Sequence, residues 1–326
     1  MIHSRFIVLP LLLGMLTLSS CVDTPDEKPK QIALIQLGTH TSLNEIKDAV
    51  VERIFQEGKR YQITHRNAEF SMDTAAQIVA SFKGRADVAI AIATPIAQAC
   101  YNGFDDDTPI VFAAVSDPIG AGLLANLEHP EGNITGTSDA IQVESILDKA
   151  RLVDPELDEL GFIYNPAEAN SVSNKAKVEA YCTAHAIAVR SSAISASGEM
   201  SEIASSLIGR VDAVFVSDDN TVAAGMSALG SICREAGKPC YVGADSMVKD
   251  GGMLCLGINY TVLGTKTAEM ALDILAGKKI SDIPVKVFDD DLRLYLNTAF
   301  VEEAGISLPP EILDDPLLVR ISEGDA

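Results

Sequence analysis

The sequence predicts an α/β protein of two doubly wound, parallel-sheet lobes facing each other across a cleft. Three observations carry this expectation. From residue 31 onward, short runs rich in β-branched residues alternate with longer segments of helical period, the pattern of strand–helix–strand units. The strand runs are apolar without alternation, as in Val88-Ala-Ile-Ala-Ile92, so each sheet is covered on both faces. The same order of segments is also written twice. VAIAIATP from Val88 corresponds to AVFVSDDN from Ala213, and PIVFAAVSDP from Pro109 corresponds to PCYVGADS from Pro239. A repeat of this length is a repeat of lobes, not a short solenoid period.

Residues 1–20 stand apart from that pattern. One arginine, Arg5, precedes an apolar run from Phe6 to Leu18, which is too short to span a bilayer and has the layout of a secretory signal peptide. It ends in Leu18-Ser19-Ser20-Cys21, which resembles a lipobox, so Cys21 is expected to be lipid-modified and to begin the mature chain. Residues 21–30 are polar after the cysteine and contain two prolines, as suits a tether. The protein is therefore expected in the cell envelope, held to a membrane by its N-terminal lipid and facing outward.

The strands follow in order as Ile32–Gln36, Val88–Ile92 and Ile110–Ala114, then Gly161–Tyr164, Ala213–Val216 and Cys240–Val242. Helical period is expected over Leu43–Phe55, Thr74–Phe82, Val143–Leu152, Val172–His185, Met200–Leu207 and Val222–Glu235. Ligands of open parallel sheets bind beyond the carboxyl ends of the strands. Here those ends carry Leu37-Gly-Thr-His40, Thr94-Pro95, Ser116-Asp117-Pro118, Asn165-Pro166, Ser217-Asp-Asp-Asn220 and Ala244-Asp245-Ser246. Residues of these types also cap helices, satisfying the free amides of the first turn. Six polar ends converging on one cleft exceed what capping alone requires.

Composition excludes several functions. The net charge of −21 repels phosphates and argues against a nucleic-acid partner. With no tryptophan and 5% aromatics, a base- or sugar-stacking surface is not expected. Five cysteines follow Cys21, an odd number with no C-x-x-C, so free buried thiols are the default, a Cys233–Cys240 bridge being the alternative. The five histidines lack ligand spacing, and no metal site is expected. Asp105-Asp-Asp107 and Asp289-Asp-Asp291 read as solvated turns. Gly120-Ala-Gly-Leu-Leu-Ala125 fits a dinucleotide pattern only loosely and reads as a structural turn, so no cofactor is expected. No nucleophile elbow or Walker loop is present, and the chain is not read as an enzyme.

Ala91-Ile-Ala-Thr-Pro-Ile-Ala-Gln98, Pro109–Pro118, Gly132-Asn-Ile-Thr-Gly-Thr-Ser-Asp139 and Ser217-Asp-Asp-Asn-Thr221 resemble the tryptophan-type ABC transporter substrate-binding proteins over about residues 31–310. The resemblance implies the type I periplasmic-binding-protein fold, with a small amino acid-like ligand (aromatic amino acids first), an ABC permease of the inner membrane as partner, and a monomer. The alternative is a sensory lipoprotein that uses the same fold to signal to a partner. The lobes are expected at 31–138 plus 261–285 and at 139–260 plus 286–326, with three crossings near Ser138, Tyr260 and Lys286. Where the family commonly reads Asn-Ala-Gln-Gly-Asp, this chain has Asn67-Ala-Glu-Phe-Ser71, placing Glu69 or Phe70 near the cleft. Its frequent His-Pro after the first strand is replaced by Thr39-His40-Thr41-Ser42.

An amino acid needs an anion site and a cation site. Thr94 and Ser116, hydroxyls at helix N-termini of the first lobe, are the expected carboxylate partners. Asp245 is the first expected partner for the ammonium, with Asp117 and Asp139 as alternatives. Asn165 and Asn220 are expected to bridge polar groups from the second lobe, and Phe70, Phe112 and Tyr260 are candidate walls.

Overall fold

The computed structural model describes residues 28–58, 60–289 and 292–322, so the segment expected to be a leader, and Cys21, lie outside the described residues. The first lobe starts with β1 (Lys30–Gln36), α1 (Thr41–Gln56), β2 (Tyr61–Asn67), α2 (Met72–Phe82), β3 (Val88–Ile92), α3 (Thr94–Gly103), β4 (Ile110–Ala113) and β5 (Ile134–Ser138). The chain then builds the second lobe from α4 (Val143–Val153), β6 (Glu159–Tyr164), α5 (Ala169–Ala184), β7 (Ala188–Ala193), α6 (Met200–Ile208), β8 (Ala213–Val216), α7 (Asn220–Ala223), α8 (Met226–Glu235), β9 (Cys240–Val242), α9 (Asp245–Lys249) and β10 (Leu254–Gly257). It returns to the first lobe with α10 (Tyr260–Leu275) and β11 (Lys286–Val287). It ends in the second with β12 (Arg293–Asn297), α11 (Thr298–Ala304), α12 (Pro310–Leu313) and β13 (Leu318–Ile321). Lys286 and Val287, expected in the second lobe, pair in parallel with Thr137 and Ser138, so the last crossing falls after β11.

Both sheets share one core order. The first runs β11-β5-β4-β3-β1-β2 and the second β13-β12-β10-β9-β8-β6-β7. The strand sequence 2-1-3-4-5 of the first lobe recurs as 7-6-8-9-10 in the second, the topology that the paired segments predict. Pairing is parallel except between β10 and β12. Strands that flank the switch in order, β1 with β3 and β6 with β8, leave a crevice at their carboxyl ends.

Burial explains which segments read clearly from sequence. β3 and β4 are buried at every position, whereas edge strand β7 is mostly exposed and carries the polar run AVRSSA. α1 buries Leu43, Ile46, Val50 and Ile54, spaced three and four apart, on one face. That face packs on α10, where Gly264 allows close approach: a Cβ there would lie 2.6 Å from the Ile46 carbonyl oxygen. Gly264→Ala would force the two helices apart and loosen side chains such as Ile46, whose full burial is worth roughly 1.5–3 kcal/mol. The single helix expected over Val222–Glu235 is instead two, α7 and α8. Gly225 separates them and its ideal Cβ would meet Met200 Cβ at 3.0 Å. Cys100, Cys182, Cys233, Cys240 and Cys255 are all buried free thiols, and the Cys240 thiol is pushed well up by its hydrogen bond with Cys233 and by burial. Among the described residues no helix is long and apolar enough to cross a membrane, and no cluster could hold a metal ion.

Candidate ligand-binding cleft

The carboxyl ends of both sheets face each other and enclose two voids. The larger, about 340 Å³, is lined by Leu37 after β1, Phe70 after β2 and Pro95 after β3, with Asn165 after β6, Ser195 after β7 and Thr221 after β8 opposite. It therefore sits at the switch point of both sheets at once. Met72, Ala167, Ala196 and Ala224 add apolar wall, and Glu168 and Ser197 complete the lining beside Asn165, Ser195 and Thr221. The smaller void, about 20 Å³, lies among His40, Asp139, Asp218, Asn220 and Tyr260. That is room for a single water- or ammonium-sized group.

Backbone strain concentrates on the first lobe's side. Glu69, Phe70, Ala93 and Ala114 have φ of 51°, 59°, 83° and 55°, each at or near a strand's carboxyl end. Left-handed conformations at non-glycine residues cost of order 1–3 kcal/mol and cluster at ligand sites. At Phe70 the consequence is direct. Its ring lies over Gly38, where a Cβ would come within 2.2 Å of Phe70 Cε2, so glycine at 38 is what admits the aromatic wall.

The expected site residues separate into distinct roles. Thr94 begins α3 and is only 1% exposed, yet its hydroxyl oxygen has no hydrogen-bond partner; it lines neither void itself and stands behind Pro95, which lines the larger. The N-cap before it, Ala93, offers no side-chain acceptor or donor. Asn165 lines the larger void, donating from Nδ2 to Thr221 Oγ1 at 2.8 Å and accepting from the Ala167 amide at 2.9 Å. Asn220 bridges the lobes through its Oδ1, 3.2 Å from His40 Nε2. Phe70 lines the larger void, Tyr260 the smaller, and Phe112 is core.

Three expected partners are already occupied. Ser116, expected to meet a carboxylate, stands between two: its Oγ is 3.0 Å from Asp139 Oδ1 and is hydrogen-bonded to Asp218 Oδ2. Asp117 accepts from the Gly120 amide at 2.8 Å and from Ser173 Oγ of the other lobe at 2.7 Å, acting as a turn cap and an interlobe latch. Asp245, expected first for an ammonium, has a cation of its own chain on one oxygen, Lys249 Nζ lying 3.2 Å from Oδ2, while its Oδ1 is buried without a partner. Asp245 lines neither void, and its burial raises its pKa while Lys249 draws it back. Lys249 also reaches across to Glu45 of α1 at 2.7 Å.

The acidic centre of the cleft is the pair Asp139 and Asp218, from opposite lobes. Asp139 Oδ2 accepts from the Tyr260 hydroxyl at 2.9 Å, and Asp218 Oδ1 accepts from Asn174 Nδ2 at 2.6 Å. Burial raises both carboxyls, Asp218 further because Asp139 lies beside it. His40, lining the same void, is lowered to about 4 by burial and carries no charge at neutral pH. Asp218 was legible only as half of a doubled acid. Asp219 is the cap, accepting from the Val222 amide at 2.9 Å, which leaves Asp218 to face the cleft. Glu168 had no sequence signal. It accepts from both the amides and the side chains of Asn220 and Thr221, and burial with the Asp219 charge pushes it up to about 7.

The family described as ABC transporter substrate binding protein matches residues 31–319. A tyrosine-binding protein of Clostridioides difficile (strain R20291) is 34% identical over 272 residues, covering 82% of this chain and 79% of the relative. The structure is similar to an ABC domain from Streptococcus pneumonia in complex with L-Trp. That pair has a TM-score of 0.83 and 30% identity, covering 89% of this chain and 100% of the other. A ligand-free, open structure of a substrate-binding protein with adhesive properties from Clostridium difficile gives a TM-score of 0.67 at 32% identity, covering 90% and 99%.

Proposed function

The chain belongs to the ABC transporter substrate-binding proteins, and from that premise we propose that it is a lipid-anchored, extracytoplasmic receptor closing its lobes around one amino acid for import. Members of the family bind solutes and do not transform them, and the fold is that of type I periplasmic binding proteins. The ligand favoured is an amino acid with an apolar side chain, aromatic ones first.

The observation that carries this reading is the division of the cleft into complementary parts. A mainly apolar chamber of about 340 Å³, with Glu168 on its second-lobe side, flanks a small acidic void, and both abut the Asn220–Thr221 step. The chamber suits the side chain, with Phe70 as its aromatic wall. The void admits an ammonium, and Asp139 and Asp218 supply the charge that receives it. Thr94, with an unsatisfied hydroxyl at the start of α3, suits the carboxylate, because amides and helix dipole favour negative charge there. The lobe arrangement gives separate support. The chain resembles the L-Trp complex more closely than the open structure, although it is slightly more identical in sequence to the latter. Direct interlobe bonds such as Ser42–Ser246 at 2.5 Å and Thr41–Asp250 at 2.9 Å fit a closed state.

Delivery to an inner-membrane permease and anchoring through Cys21 complete the proposal, with the receptor acting as a monomer. Mass spectrometry of ligand released from freshly purified, unfolded protein tests it. An aromatic or aliphatic amino acid at about one per chain is expected. A sugar or nucleoside in its place would overturn the ligand assignment.

A further inference from the structure

The contacts around Asp139 and Asp218 are one hydrogen short. Their four carboxyl oxygens each meet a neighbour: Ser116 twice, Tyr260 once and Asn174 once. A serine hydroxyl has a single hydrogen and can donate to only one carboxylate. With both acids ionised, the second Ser116 contact would set a lone pair against a buried negative charge, and the two charges would face each other through one oxygen atom.

We propose that closing the empty cleft takes up one proton, held between Asp139 and Asp218 through Ser116, and that the ligand's ammonium takes the place of that proton. The inference rests on the closing-receptor reading above. Its geometry comes from the two lobes. Asp218 and Asn174 belong to the second, while Ser116 and Tyr260 pack with the first and Asp139 ends β5, where the chain leaves it. Opening separates the carboxyls into water, where each ionises in the ordinary range. Closing brings them together among buried groups, and one must then be neutralised.

The surrounding titratable groups do not supply the missing charge. His40 from the β1–α1 loop is neutral. The Tyr260 phenol and the Cys255 thiol of β10 are pushed well up and stay protonated. Asp245 is balanced by Lys249, and Asp219 and Glu168 are engaged with the start of α7. Lys177 of α5 attracts both carboxyls through space, but burial outweighs it and both stay raised.

The sign follows from linkage. The closed empty form binds one proton more than the open form, so the closed-to-open ratio falls as pH rises, about tenfold per unit while the closed form alone holds the proton. The window opens at the ordinary carboxylate range and ends at the raised value of the closed pair. An acidic medium would thus close the receptor empty and compete with the ligand.

The test uses the full chain stripped of ligand, with one dye on α2 and one on α6, and energy transfer followed from pH 4.5 to 8. The closed-to-open ratio of the empty wild type should fall about tenfold per unit within the window, and saturating amino acid should abolish that slope. Asp218→Asn, whose amide supplies the missing hydrogen, should close at every pH. Asp139→Asn should do the same and serves if the first variant does not fold. A flat profile for the empty wild type, or an unchanged slope in either variant, overturns the inference. Calorimetry with amino acids on the same samples keeps the two readings apart. Binding without a slope removes only the proton, and a slope without binding removes only the ligand assignment.

Discussion

Replacing Thr94 with valine should move stability and binding in opposite directions. Valine keeps the β-branched shape and removes the hydroxyl, whose oxygen is buried without a partner. A buried unsatisfied polar group costs about 1–3 kcal/mol, so the ligand-free variant should gain about 1 kcal/mol or more and melt roughly 2–4 °C higher for each kcal/mol gained. Binding should fall, because a hydrogen bond to a charged ligand group contributes about 1.5–3 kcal/mol, or about 10- to 150-fold in affinity. The assays are calorimetry with aromatic amino acids and thermal melting of stripped protein. A variant with wild-type affinity and a lowered melting temperature would refute the reasoning, since the hydroxyl would then be serving α3 and not a ligand.

Other outcomes follow from the same contacts. Lys249→Met leaves Asp245 buried beside no cation and cuts the link to Glu45; it should cost about 3 kcal/mol at pH 7 and less in acid, where the carboxyl that burial raises takes up its proton, as melts at neutral and acidic pH would show. Glu168 titrates near 7 when folded and near 4.5 when unfolded, so the folded state holds the extra proton between those values; the ligand-free protein should melt higher at pH 5 than at pH 8, and Glu168→Gln should reduce that difference. Phe70→Ala removes the wall over Gly38 and should weaken aromatic ligands about 5- to 30-fold by calorimetry while affecting alanine little. Cys21→Ala should abolish incorporation of labelled fatty acid; labelling that survives the change would remove the anchor.

The fold was legible where burial is complete and obscure where it is not. Strands such as β3 and β8 are enclosed on both faces and read as unbroken apolar runs, whereas β7 borders solvent and its polar residues look like loop. The site was legible as a set of strand ends but not as a division of labour among them. Thr94, Asn165, Asp139 and Asp245 are all polar residues after strands, and from sequence Asp245 stands ahead of Asp139 for the ammonium. What separates Asp245 is Lys249 one helical turn on, a pairing visible in the spacing though easily taken for surface chemistry. What marks Asp218 is that one acid suffices to cap α7 and two are present. Glu168 could not be found, because its importance comes from donors more than fifty residues away in sequence.

The central claim is that two lobes close around one amino acid, and small-angle scattering of stripped protein tests it most directly. Titrating tryptophan, tyrosine and phenylalanine at neutral pH should shrink the radius of gyration and bring the curve to that of the closed structure, saturating at one ligand per chain. An envelope that stays unchanged at saturating ligand would contradict the account.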